Sequence, residues 1–271
     1  MSMVCRLKCP VRVYSNTLPL DFFSAIAGSI TVARYHPLEM VDRIPGLSQP
    51  AVAWIRRVYP SLSAAMQSDV VRLMLLHEYG GTYIDLDIIV MKPFPDESGI
   101  IARSDASACN TPKQRCIPAK FADDWPSQLN KSDPSAQFEL RSTGLIVNMP
   151  TRHPFILATL ENLEWLYEFT TPPHIFCIGP WGLERTLSTW IAERGAMPPG
   201  LHTIPQNTLI PHAVWNVRGD ARQVDGGFVF HPNEVTRADH GKPGHDTIYG
   251  QLTERVESEC LGYLWRGATL Y

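Results

Sequence analysis

The chain has no apolar run of the roughly 18 residues that a membrane-crossing helix needs. Its Lys and Arg residues form no cluster, and a formal net charge of −3 supplies no positive field for nucleic acid. Neither glycine-rich phosphate loop, G-x-x-x-x-G-K-[ST] or G-x-G-x-x-G, occurs. The six cysteines are poorly spaced for zinc. Cys5 and Cys9, like Cys109 and Cys116, lack the two-residue gap of most structural sites, and Cys177 and Cys260 stand apart. Reduced thiols are therefore expected. The first ten residues lack the apolar core of a signal peptide, so the chain is expected to be soluble and cytoplasmic. No internal repeat or low-complexity segment is present.

What is present describes an ordinary globular protein. Of the 271 residues, 44% are hydrophobic and 19% charged, enough to build a sizeable core. Residues 11–16 and 30–35 alternate as strands, with a helix-like stretch at 20–27 between them. This β-α-β opening predicts a sheet with helices on its faces. A short helix is expected at 51–58. A longer one follows, capped by Ser61 or Ser63 and stopped by Gly80-Gly81 after Tyr79. Further strands are expected at 99–103, 138–149 and 228–230, and helices at 153–169, 180–194 and 245–265. Residues 104–134 are expected to form a long surface loop. No linker divides the chain, which predicts one α/β domain over 1–271.

The chemistry concentrates in Gly80-Gly81-Thr82-Tyr83-Ile84-Asp85-Leu86-Asp87-Ile88-Ile89-Val90. Two carboxylates interrupt an apolar, β-prone run with one Leu between them. On a strand they share a face, with Leu86 on the other. Two close carboxylates repel, and burying them is costly unless a cation or donors compensate. Hard oxygen ligands suit magnesium or manganese, which usually keep open positions for substrate phosphates. The bland alternative is a pair of solvated surface carboxylates. In the preceding helix, Asp69 and Arg72 lie three apart and so on one face. They read either as a solvated surface pair or as part of a site.

The block Ser68-Asp69-Val70-Val71-Arg72, continuing to Gly80-Gly81-Thr82-Tyr83-Ile84-Asp85-Leu86-Asp87, resembles the signature of the DXD-containing sugar transferases. That group includes α-1,4-galactosyltransferases and yeast-type initiating α-1,6-mannosyltransferases. Ser142 to Val147, His153-Pro154-Phe155, Gly179-Pro180 with Leu183, and His231 after a short apolar strand resemble later parts of the family pattern. Departures are Thr143 where Asn is common, Glu184 where Thr is common, and Pro232-Asn233 after the late histidine.

The resemblance implies a GT-A-like fold with a Rossmann-like nucleotide-binding half and a mixed central sheet. The donor side would lie at about 11–104 and the acceptor side at about 105–271. It implies metal-dependent, retaining transfer of a hexose-like sugar to an acceptor hydroxyl, in glycan or polysaccharide synthesis. The donor would be a UDP- or GDP-sugar and the cofactor Mn2+ or Mg2+. Asp87 would bind the metal, and Asp85 the donor ribose and, with it, the metal. Asp69 and Arg72 would hold the transferred sugar, with Arg72 also near the diphosphate. Tyr14, Ser15 and Asn16 would line the nucleotide pocket, and Tyr83 would serve as core packing or as a ligand contact. His231 would be a third metal ligand or a structural histidine, with His240 and His245 as rival candidates. Such an enzyme would be cytoplasmic or peripheral to the membrane where its acceptor is made. Competing readings are a nucleotidyl- or phosphoryl-transferase, disfavoured by the missing phosphate loops, and a catalytically silent nucleotide-sugar-binding module.

Overall fold

The computed structural model describes residues 6, 9–24, 30–85, 88–104, 117–124, 131–133, 135–140, 145–169, 177–209, 222, 228–230, 251, 252, 254–256 and 258–260. They divide into two compact units, each built from separate stretches of chain. One comprises 1–35, 86–95 and 207–271, the other 36–85 and 96–206. The mixed α/β class expected from the sequence is what the structure shows.

In the 36–85/96–206 unit a short helix α1 (Pro37–Met40) precedes α2 (Gln49–Val58). Ser48 caps α2 by accepting from the Ala51 amide. Its own amide and hydroxyl donate to the two Glu161 carboxylate oxygens at 2.5 and 2.6 Å. Helix α3 (Ala64–Tyr79) is capped by Ser63, whose Oγ accepts from the Met66 amide. It ends at Gly80, whose φ of 64° only glycine adopts at little cost. A Cβ there would also come 2.6 Å from the Met149 carbonyl oxygen. The helix can therefore turn straight into strand β3 (Gly81–Ile84).

After the short strand β4 (Ile89–Val90), which belongs to the other unit, come β5 (Ile100–Ser104), β6 (Ile117–Pro118), β7 (Gln137–Leu140) and β8 (Leu145–Met149). Helices α4 (Pro154–Glu161), α5 (Leu163–Glu168) and α6 (Pro180–Arg194) follow, then β9 (His202–Pro205). The sheet runs β3-β8-β5-β7-β6, with β9 added to β5. Among the described residues of this sheet only the β5–β9 pairing is parallel, so the sheet is mixed. Ile100, Ile101, Ile117, Phe138, Leu145, Ile146 and Val147 are buried, as are Phe155, Ile156, Leu160 and Leu183 on the helices. Strand β8 is buried at four of its five positions, so it lacks the inside–outside alternation of a half-exposed strand.

Several expected elements differ in detail. The strand expected over 138–149 is two strands, β7 and β8, both antiparallel to β5. The helix expected over 153–169 breaks at Asn162, whose φ of −91° and ψ of 1° leave the helical region. The expected loop over 104–134 contains β6 and a 3-10 turn at Ala119–Phe121. Strand β9 was not expected. It is only four residues long and begins and ends with His and Pro, a weak propensity signal that its pairing with buried β5 overrides.

The other unit opens with β1 (Val11–Tyr14) parallel to β2 (Ile30–Ala33), as a β-α-β start requires. The helix expected between them at 20–27 lies outside the described residues at 25–27, and 20–23 form turns. The Asn16 amide extends the pairing by donating to the Tyr35 carbonyl at 2.9 Å and accepting from its N–H at 3.1 Å. Strand β4 pairs antiparallel with β10 (Val229–Phe230). Residues 251, 252, 254–256 and 258–260 are helical, within the span expected for a C-terminal helix. Cys260 is disulfide-bonded, which corrects the expectation of reduced thiols, while Cys9 is free. That expectation rested on compartment alone, and spacing in sequence says little about which cysteines meet in space. Among the described residues no helix is long and apolar enough to cross a membrane.

Candidate functional site

Helix α3 carries two of the residues singled out in the sequence. Asp69 is 8% exposed and Arg72 6%. Arg72 Nη1 lies 3.0 Å from Asp69 Oδ1. This is an internal ion pair, not the solvated surface pair that was the bland alternative. Desolvating two charges costs more than their attraction returns unless further partners are supplied.

Strand β3 and the residue after it supply them. Tyr83 and Asp85 are two apart and so share a face. Arg72 Nη2 donates to Asp85 Oδ1 at 3.4 Å, and its Cζ stands 4.5 Å from the centre of the Tyr83 ring. A cation over an aromatic face is attracted by the ring quadrupole. The Tyr83 hydroxyl lies 3.3 Å from Ser68 Oγ, back on α3. Tyr83 forms a platform beneath Arg72. The guanidinium is thus held by two carboxylates and one ring. Its Nε–H is buried and meets no acceptor among the described residues.

A register shift in the sheet aims this face. Gly81 pairs with Met149 but Tyr83 with Ile146, so β8 has one residue more than β3 across that interval. The extra residue fits because Asn148 adopts a φ of 50°. Thr82 Oγ1 accepts from the Asn148 amide at 3.0 Å and lies 3.2 Å from its side-chain oxygen, pinning the shift.

Burial dominates the electrostatics. It pushes the Asp69 carboxyl up to about 6, against the downward pull of Arg72 and reinforced by the Asp85 charge. For Arg72, burial opposes the charge, but Asp69, Tyr83 and Asp85 together outweigh it and raise its pKa. The guanidinium stays charged at any pH of interest. Burial also raises the Tyr83 phenol, with Arg72 pulling the other way.

The remaining sequence candidates are less informative here. Asp87, His231, His240 and His245 lie outside the described residues. Tyr14, Ser15 and Asn16 belong to the other unit and have local partners. Tyr14 Oη accepts from Arg12 at 3.5 Å, Ser15 Oγ accepts from the Thr17 and Leu18 amides, and Asn16 clamps Tyr35. Among the described residues no three His, Cys, Asp or Glu side chains come together as a metal site. Asp85 does offer a hard oxygen donor of the kind magnesium or manganese prefers, its side chain 30% exposed.

Residues 33–106, which contain Asp69, Arg72, Tyr83 and Asp85, match the glycosyltransferase sugar-binding region containing the DXD motif. The match supports the resemblance to the DXD-containing glycosyltransferases over a segment that makes up most of the donor side expected from the sequence. A solved structure of PaToxG glycosyltransferase is 18% identical, over 64% of this chain and 51% of that one, with a TM-score of 0.40. The chain thus spans about half the length of that protein.

Proposed function

We propose that the protein transfers a sugar from a nucleotide-sugar donor, a UDP- or GDP-sugar, to a hydroxyl of a glycan or similar acceptor. The observation that carries this reading is the buried Asp69–Arg72 pair and its link to the half-buried Asp85, inside the family-matched segment. A charged network held out of water is costly to build, and such networks concentrate where a site needs them. The buried Nε–H of Arg72, with no acceptor among the described residues, suits a ligand oxygen, either a sugar hydroxyl or a diphosphate oxygen.

In this reading Asp69 accepts from hydroxyls of the transferred sugar, and Arg72 orients it and offsets charge on the diphosphate. Fixing the sugar for attack converts lost freedom into rate. Asp85 contacts the donor ribose. The carboxylate chemistry of Asp85 and Asp87 suits Mn2+ or Mg2+, with His231 as a third ligand. When bound, that metal would stabilise negative charge on the departing nucleoside diphosphate. Tyr14, Ser15 and Asn16 line the nucleotide pocket. The chain would act as one GT-A-like catalytic body, its donor side at 11–104 and acceptor side at 105–271. The family resemblance favours retention, and displacement on one face of the sugar is the course this reading takes. A role in glycan or polysaccharide synthesis follows from the acceptor class. The Cys260 disulfide favours an oxidising compartment over the cytoplasmic location expected from the N-terminus.

The test is a panel of nucleotide sugars scored for release of nucleoside diphosphate, with manganese and with a chelator. Metal-dependent release from one donor supports transfer. Donor binding without release under every condition would mark a silent binding module instead.

A further inference from the structure

Gly179 immediately precedes α6, and Pro180 occupies the first helical position, where its missing N–H costs nothing. A Cβ built on Gly179 would lie 2.5 Å from Asp69 Oδ2, 2.9 Å from Cγ and 3.1 Å from Oδ1. No real Cβ comes that close, so the space a side chain would occupy is filled by the Asp69 carboxylate. All three nearest atoms belong to this one carboxylate. We propose that Gly179 is a positioning residue for sugar transfer: its missing side chain lets α6 close on Asp69 and fixes the carboxylate in the place from which it meets both Arg72 and the donor sugar. This rests on the function proposed above.

Asp69 has a single short side chain, and one of its oxygens is already 3.0 Å from Arg72. A methyl group at 179 leaves the carboxylate one response, which is to rotate or slide away. That movement lengthens the contact to Arg72 and misplaces the oxygen offered to the sugar. The atoms that must yield are the end of a side chain rather than backbone, so the fold survives. Gly182, three residues further along α6, provides a contrast. A Cβ there would lie 2.8 Å from the Cys177 carbonyl oxygen and 3.2 Å from Leu166 Cδ1, and its three nearest atoms all lie outside the Arg72 network.

The experiment compares Gly179→Ala, Gly182→Ala and Arg72→Ala in the nucleotide-sugar assay, with nucleoside diphosphate affinity measured on each. Gly179→Ala is expected to lower kcat at least tenfold with nucleoside diphosphate affinity unchanged. Gly182→Ala is expected to unfold at lower denaturant while keeping its turnover per folded molecule. A second measurement covers the case in which activity is too low to read. Gly179→Ala is placed in wild-type and Asp69→Ala backgrounds, and its effect on the unfolding midpoint is compared. The shift in midpoint should shrink when the carboxylate is gone. Equal shifts in both backgrounds, or normal turnover in Gly179→Ala beside an inactive Arg72→Ala, would overturn the role of Gly179. Normal turnover in Arg72→Ala would instead overturn the site itself.

Discussion

Arg72, on a helix, reaches Asp85, just past the end of the following strand, with a 3.4 Å hydrogen bond from Nη2 to Oδ1. That bond and the 3.0 Å pair with Asp69 make Arg72 the joint between helix α3 and the start of the DXD motif. Arg72→Ala leaves two carboxylates without their cation. Breaking a buried pair costs about 3–5 kcal/mol, reduced here because Asp69 can take up a proton, so a loss of about 2–4 kcal/mol is expected. Turnover should fall by orders of magnitude while nucleoside diphosphate still binds. Arg72→Lys should restore charge and some stability, but little turnover, because an ammonium cannot span both carboxylates as the planar fork does. Denaturant unfolding beside calorimetric titration and a turnover assay checks all three points.

Asp69 makes stability depend on pH in a direction that can be worked out. Below pH 3.8 both the folded and the unfolded carboxyl hold a proton. Between 3.8 and about 6 the unfolded chain ionises first, so the native state loses stability as pH rises through this window. The full loss is about 3 kcal/mol, because each tenfold change in proton affinity is worth about 1.4 kcal/mol. Asp69→Asn does not titrate. Metal-free wild type should therefore lose ground to Asp69→Asn as pH rises from about 4 to about 7 in urea unfolding. A difference that moved in favour of wild type would mean that Arg72 outweighs burial.

The helix and the chemistry of the site were legible in the sequence for separate reasons. Gly80-Gly81 punctuates the chain, Ser63 caps α3, and a spacing of three put Asp69 and Arg72 on one face. A period of two put Asp85 and Asp87 on one face; that Tyr83 also meets Arg72 came from the structure. The sequence left open whether Asp69 and Arg72 were buried, because that depends on what covers α3. The extra residue at Asn148 and the approach of Gly179 to Asp69 join stretches far apart in the chain, which no local pattern encodes. Strand β9 was missed for the same reason, since its burial comes from β5.

His153 supplies a second pH test, at a helix end. Its Nδ1 accepts from the Phe155 amide at 3.2 Å and its Nε2–H donates to the Pro199 carbonyl at 2.8 Å, so the ring is held neutral. Burial lowers its pKa, opposed by the Pro199 bond. The unfolded histidine takes a proton near 6.5 and the native one only at lower pH, so stability is lost as pH falls below 6.5. His153→Asn keeps a capping oxygen without titrating in this range. Wild type should lose stability relative to His153→Asn as pH falls from about 7 to about 5, read by thermal unfolding. A constant difference across that range would show that His153 titrates normally in the native state.

The central claim is metal-assisted sugar transfer at the DXD segment, and Asp87 tests it most directly. Losing a direct metal ligand should remove several kcal/mol of transition-state stabilisation, on the order of a thousandfold in rate. The fold should persist, since a repulsive carboxylate pair is relieved. The decisive measurement is manganese-dependent release of nucleoside diphosphate from the preferred donor by wild type and Asp87→Ala, each shown to be folded. Release by wild type that a chelator abolishes, and that falls about a thousandfold in Asp87→Ala, is the predicted result. Near-wild-type release by Asp87→Ala with manganese present would contradict it.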